Sequence, residues 1–151
     1  MNIGELCQRD VVTVRAGDEI VAAARLMRDR HIGYIIVVEP RVAAQTVVPI
    51  GVLTDRDIVV AVIARDVEAR SLRVEDVMTR EPLLLGESET LENALREMRR
   101  RGVRRAPVVG DSGQLIGVVS LDDMLAVLAG ELQDVSWSIE RGRQVEQAMR
   151  R

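Results

Sequence analysis

Two apolar patterns alternate along the chain, and the alternation runs through twice. Short, nearly continuous aliphatic runs occur at Ile35-Ile36-Val37-Val38 and at Ala106-Pro107-Val108-Val109. Each is followed by a second run, Ile50 to Leu53 and Leu115 to Val119. Bounded runs of this length predict strands covered on both faces. Ahead of each pair, apolar residues recur at i, i+3, i+7, the spacing of one helix face: Ile20, Ala23, Met27, then Leu91, Ala94, Met98. The first copy predicts an extended segment (Val11 to Val14), a helix (Glu19 to Arg30), a hairpin (Tyr34 to Val38 with Ile50 to Leu53) and a helix (Asp55 to Ala64). The second predicts Leu83 to Leu85, Thr90 to Arg101, Ala106 to Val109 with Leu115 to Val119, and Leu121 to Leu128. Asp18 and Ser88 are the expected N-caps of the first helices.

The copies align at an offset of 71 from Leu6 to Val14 onto Val77 to Leu85, and at 66 by Gly51 and Gly117. Five extra residues therefore belong to the first copy's turn, around Arg41 to Val48, where the second has the hairpin signal Gly110-Asp111-Ser112-Gly113. One copy is too small to bury such strands alone. The expected fold is α/β (α+β): tandem β-α-β-β-α repeats packed with pseudo-twofold symmetry. The expected division is residues 1–66 for the first repeat, 67–73 for a linker, 74–130 for the second repeat and 131–151 for a helical tail. Leu128, Leu132, Val135 and Ile139 carry helical spacing into that tail, and Gly142 breaks the pattern. The tail either lies over the module, frays, or presents an apolar stripe to a partner or second subunit.

Composition narrows the chemistry. A net charge of −3 argues against a nucleic-acid coat. Phenylalanine is absent and Tyr34 and Trp137 are the only aromatics, too few for a base-stacking platform. Lone Cys7 cannot form an internal disulfide, and lone His31 makes a zinc site or other structural metal unexpected. The apolar stretch Ile58 to Ala64 is too short to span a bilayer, and Glu5, Arg9 and Asp10 leave no signal-peptide core, so the expected location is cytoplasmic. No nucleophile–base pair, P-loop or dinucleotide fingerprint is evident, so the chain is not expected to be an enzyme.

The most specific repeat is Gly51-Val52-Leu53-Thr54-Asp55-Arg56-Asp57, which returns as Gly117-Val118-Val119-Ser120-Leu121-Asp122-Asp123. Each copy sits where a strand ends and a helix begins. One reading is a capping box, although such boxes favour Glu or Gln over the shorter Asp. The other is a ligand site, in which the helix start favours phosphate and the Asp accepts from the vicinal hydroxyls of a ribose. Arg104 and Arg105 precede the second hairpin where the first has Gly33 and Tyr34. Arginine is a bidentate partner for phosphate, so the two sites are expected to be unequal. Arg56, in the first turn beside Asp57, is either a further phosphate contact or a surface ion pair.

With the duplicated Gly motif and Val77-Met78-Thr79, the chain resembles a CBS domain pair (a Bateman module) over roughly Ile3 to Leu128. The resemblance implies a regulatory sensor that binds an adenosine-containing ligand: AMP, ADP, ATP, NAD or S-adenosylmethionine. It implies one site with Thr54 and Asp57 and another with Ser120 and Asp123, with Val12 and Leu83 near the bases. It also implies a homodimer whose output passes through an effector protein, without membrane or nucleic acid. The alternative is a structural dimerisation module with empty capping boxes.

Overall fold

Each aliphatic run becomes a strand, and each pair of runs a hairpin. The computed structural model describes residues 1–150. One sheet holds β1 (Thr13–Arg15), β2 (Tyr34–Arg41), β3 (Thr46–Thr54) and β4 (Thr79–Arg80), in that order. The other holds β5 (Leu85–Gly86), β6 (Arg105–Val109) and β7 (Leu115–Ser120). In both, a short parallel strand precedes an antiparallel hairpin. The register sets Tyr34 opposite Thr54 and Arg105 opposite Ser120.

The helices follow the predicted periodicity. α2 (Ile20–Arg30) buries Ile20, Ala23 and Met27, and α5 (Leu91–Arg101) buries Ala94 and Met98. Both end on a left-handed residue, His31 at φ 54° and Gly102 at φ 66°, a common way to terminate a helix. The expected caps, Asp18 and Ser88, are not the caps. Glu19 and Thr90 hold those positions, and the Thr90 hydroxyl accepts from the Asn93 amide at 3.2 Å. The Asp18 carboxylate instead accepts from the Arg15 amide at 2.8 Å, as its counterpart Glu89 accepts from Gly86 at 2.9 Å. An acidic residue thus closes the turn before each helix rather than the helix itself.

Each repeat completes its core with a segment taken from the other. α1 (Ile3–Leu6) and Cys7 supply Ile3 and the thiol to the core of the second repeat, beside Leu85, Met98 and Val108. α4 (Val74–Val77) and Met78 supply Val74 and Met78 to the first, beside Ile20, Ile35 and Leu53. Fully burying side chains of this size contributes about 1.5–3 kcal/mol each. The backbone repeats the exchange. The Val74 amide donates to the Asp18 carbonyl at 2.8 Å, and the Ile3 amide to the Glu89 carbonyl at 2.9 Å. Gln8 and Val118 exchange two 2.9 Å bonds, and Thr79 pairs with Val52 in the matching place. The crossing explains the motif glycines. A Cβ on Gly117 would meet the Gln8 carbonyl oxygen at 2.5 Å, and one on Gly51 the Met78 sulfur at 2.7 Å.

The same exchange shifts the first strands. They begin at Thr13 and Leu85, later than the expected Val11 and Leu83. Gln8 is tied to the second repeat and Thr13 to the first, so the residues between them cross from one repeat to the other. Residues 81–84 make the reverse crossing, between Thr79–Arg80 on the first sheet and Leu85 on the second.

Three other expectations are corrected. The five added residues lengthen the first hairpin: β2 and β3 run to Arg41 and from Thr46, joined by a tight turn at Val42–Ala44. The Arg41 guanidinium donates across to the Ser112 carbonyl, giving this extension a contact on the second hairpin. The first closing helix, α3 (Asp55–Ile58), widens into a π turn at Val59–Ile63 instead of continuing to Ala64 as α-helix. The second, α6 (Leu121–Met149), runs unbroken for 29 residues through Gly130 and Gly142. A glycine costs about 1 kcal/mol in a helix interior, too little to stop one that propagates from both sides. Every described residue after Gly130 is exposed, so the tail neither lies over the module nor frays. No helix is long and apolar enough to cross a membrane among the described residues.

Candidate functional site

Two clefts of about 370 Å³ each lie where the exchanged segments cross between the repeats. Their crossing segments correspond under the repeat alignment, with Gln8, Asp10, Val11 and Val12 matching Thr79, Glu81, Pro82 and Leu83. In one cleft, Gln8, Asp10, Val11 and Val12 of the first crossing face Val118, Ser120, Asp122 and Asp123 of the second repeat, with His31 to Tyr34 along the side. In the other, Thr79 to Leu83 of the second crossing face Val52 of the first repeat, with Arg101, Val103 and Arg104 along the side. Tyr34 and Arg105 line both. The Arg105 guanidinium carbon sits 6.0 Å from the Tyr34 ring centroid, within cation–π range.

The start of the closing helix has the same local design in each copy. Thr54 Oγ1 accepts from the Asp57 amide at 3.1 Å, and the Asp57 carboxylate accepts from the Thr54 amide at 2.8 Å. Ser120 and Asp123 repeat both bonds at 3.1 and 2.9 Å. Both pairs are thus capping boxes. Aspartate suffices because its shorter reach still spans to the cap amide. The second box has two further bonds. Ser120 Oγ donates to Asp123 at 2.6 Å, and Gln8 Nε2, from the exchanged segment, donates to the other Asp123 oxygen at 2.9 Å. The Asp123 carboxylate is held at both oxygens at the edge of a cleft.

The clefts sort the candidate residues. Val12, Ser120 and Asp123 come together in one cleft, with Arg105. Leu83, Arg104 and Arg105 come together in the other, whose lining includes neither Thr54 nor Asp57. Arg56 is exposed and lines neither cleft. The Arg96 to Arg105 run divides as well. Arg96 pairs with Glu92 and Arg100 with Glu97 on the solvent face, while Arg101, Arg104 and Arg105 reach a cleft. Gln8, Asp10, Arg80 and Arg101 were not among the candidates. The offset of 71 already matched Gln8 with Thr79 and Asp10 with Glu81, but nothing local in the sequence says that these segments change repeats.

Burial also tunes two groups. It pushes the Tyr34 phenol well above its ordinary range, against the opposing pull of the Arg105 guanidinium. It pushes the Cys7 thiol up as well, with Arg9 pulling the other way. Cys7 is a packed core residue and not a reactive thiolate. Among the described residues, no group of three or more His, Cys, Asp or Glu side chains is placed to hold a metal ion.

Comparison with known proteins identifies the architecture. The CBS domain family model matches residues 3–64 and 74–130. The chain is 32% identical over 127 residues to the uncharacterized protein MK0525 of Methanopyrus kandleri, covering 84% of this chain and 62% of that one. It is 36% identical over 116 residues to the inosine-5'-monophosphate dehydrogenase of Korarchaeum cryptofilum, covering 77% of this chain and 22% of the enzyme. The chain thus matches less than two thirds of either relative's length. The CBS domain pair of protein MJ0100, solved in complex with 5'-methylthioadenosine and S-adenosyl-L-methionine, superposes with a TM-score of 0.72 over 87% of this chain and 98% of that one, at 21% identity. That likeness is one of fold. With both β-α-β-β-α units matched separately and in order, the chain belongs to the CBS domain family and carries a CBS domain pair.

Proposed function

We propose that this CBS domain pair is a regulatory module that binds an adenosine-containing ligand in the clefts between its repeats. One observation carries the reading: Asp123, fixed by Ser120 from one side and by Gln8 from the other, lines a cleft walled by both repeats. A carboxylate so held accepts from the vicinal hydroxyls of a ribose without reorganising. The Ser120 hydroxyl lies beside it, and Val12, Ile32 and Val118 offer an apolar bed for a purine. In the other cleft, Leu83 and Val103 take the apolar role and Arg104 and Arg105 meet phosphate. Thr54 and Asp57 hold the places equivalent to Ser120 and Asp123, and a ribose reaches them only if that cleft extends toward α3. Arg56 has no part in this reading. The complex of MJ0100 with two adenosyl compounds supports the ligand class.

A ligand that spans both walls favours the arrangement of repeats that fits it, and a partner that binds that arrangement better responds to the ligand. The matched segment in the dehydrogenase, 22% of that enzyme, agrees with a module separable from any catalytic body. Thermal unfolding against AMP, ADP, ATP, NAD and S-adenosylmethionine, with GTP as control, tests the proposal. At a hundred times its dissociation constant a ligand adds about 2.7 kcal/mol, roughly 5–10 °C here. Asp123→Ala should remove the shift of any ligand held at that carboxylate. If no adenosyl compound shifts the transition, the second reading stands: a dimerisation module. It is favoured by Leu132, Val135 and Ile139, which are exposed at helical spacing on α6.

A further inference from the structure

We propose that the two clefts select ligands of opposite charge: the Leu83 cleft takes an adenosine polyphosphate, and the Val12 cleft an adenosine derivative with no phosphate and a neutral or cationic side group. The proposal rests on the adenosine reading above and adds the chemistry that divides the sites. Arg80, Arg101, Arg104 and Arg105 line the Leu83 cleft, opposed by Glu81 alone. Asp10, Asp122 and Asp123 line the Val12 cleft, opposed by Arg105 alone, with His31 at the rim. The walls share their crossing segments, yet their formal charges have opposite signs.

The partners of these side chains matter more than their number. Arg80 Nη2 donates to the Glu75 carbonyl at 3.2 Å, and Arg101 Nη2 to the Glu81 carbonyl at 3.1 Å. A carbonyl orients a guanidinium without cancelling its charge. Arg105 lies over the Tyr34 ring, which likewise leaves the charge in place. Arg104 approaches Asp122 no closer than 3.8 Å, with both side chains largely in water, so that pair contributes little. The cleft therefore presents oriented, uncompensated guanidinium groups, the arrangement that recognises several phosphate oxygens at once.

The Val12 cleft shows the reverse. Gln8 and Ser120 hold Asp123 in place with neutral groups, leaving its negative charge intact. A polyphosphate there would be repelled by three carboxylates, whereas a sulfonium would be attracted and a thioether left unopposed. One aligned pair carries part of the difference, Gly33 in the Val12 cleft where Arg104 lines the Leu83 cleft; the rest lies in placement, because Arg9 and Arg30, the counterparts of Arg80 and Arg101, line neither cleft.

Titration calorimetry on the full chain, with ATP and S-adenosylmethionine as probes, tests the division. Each probe should bind one site per chain, and saturation with one should leave the stoichiometry of the other unchanged. The double variant Arg80→Ala, Arg101→Ala should weaken ATP at least tenfold and leave S-adenosylmethionine within twofold. The double variant Asp10→Asn, Asp122→Asn should weaken S-adenosylmethionine about fivefold or more and spare ATP. All four positions are exposed, so the fold survives, and unchanged circular dichroism checks this. Competition of the two probes for a single site, or loss of both in the arginine variant, overturns the division while leaving the adenosine reading standing. If neither probe nor any other adenosyl compound binds, both fail.

Discussion

Gly51 and Gly117 occupy the same place in the two repeats and face different neighbours. Gly117 lies under the Gln8 backbone, with a carbonyl oxygen 2.5 Å and the Cys7 sulfur 2.8 Å from where a Cβ would stand. Gly51 lies under Met78, whose sulfur is 2.7 Å away, with the Thr79 carbonyl oxygen at 2.9 Å. Both glycines meet a backbone carbonyl, but the one over Gly117 stands closer, at 2.5 Å against 2.9 Å, and is held in a two-bond bridge. One motif thus marks a tight crossing in the second repeat and a more forgiving one in the first. The capping boxes differ in the same sense, with the second the more heavily bonded. The second repeat is the better fixed of the two.

The largest effect should come from Gly117→Val. Overpacking against fixed backbone should lower stability by about 3 kcal/mol, against about 1–2 kcal/mol for Gly51→Val. Urea unfolding of the two variants measures the difference, and equal losses would show that the Met78 and Thr79 neighbours of Gly51 yield no more than the Gln8 backbone.

Next in size are the caps. Ser120→Ala removes an acceptor for the Asp123 amide and a donor to its carboxylate, whereas Thr54→Ala removes the acceptor alone. Losses of about 1.5 and about 1 kcal/mol are expected from the same assay. A larger loss at Thr54 would reverse the ranking of the repeats.

The smallest effect concerns the residues shared by both clefts, Tyr34 and Arg105. Burial holds the Tyr34 phenol protonated, so the folded chain keeps this proton more tightly than the unfolded chain. The stability this contributes is complete below about pH 10, the ordinary tyrosine value, and declines as pH rises above it. As the only tyrosine, Tyr34 can be followed directly by tyrosinate absorbance. Its ionisation should be delayed beyond that of the urea-unfolded chain, and Tyr34→Phe should flatten the alkaline loss of stability. Coincident titration curves would place the phenol in water.

Local patterns carried the repeats into view. The i, i+3, i+7 spacing located α2 and α5, and the aliphatic runs located the hairpins, because helix faces and buried strands are written in neighbouring residues. The hydroxyl–Asp pairs were visible as helix starts for the same reason. What stayed hidden depends on contacts far apart in sequence. Neither Arg80 nor Gln8 announces a cleft, because each reaches one only after its segment crosses to the other repeat. The length of α6 was hidden differently. Gly130 and Gly142 signal a stop, yet with nothing packed against them they are tolerated at modest cost.

The crossing also governs how the chain can be made. Gln8 finds its partner in Asp123, 115 positions later. A ribosome adding about 5–20 residues per second leaves the N-terminal segment without its seat for roughly 6–23 s. During that interval the core that needs Ile3 and Cys7 does not yet exist, and the first repeat waits in turn for Val74 and Met78. Synthesis therefore reaches the second repeat before either half can close, and a chain interrupted between them is left with exposed aliphatic strands. The module is completed in two steps, the first core once Met78 is made and the second only after Met124, which makes its N-terminal residues the last to be sheltered although they are the first to be made.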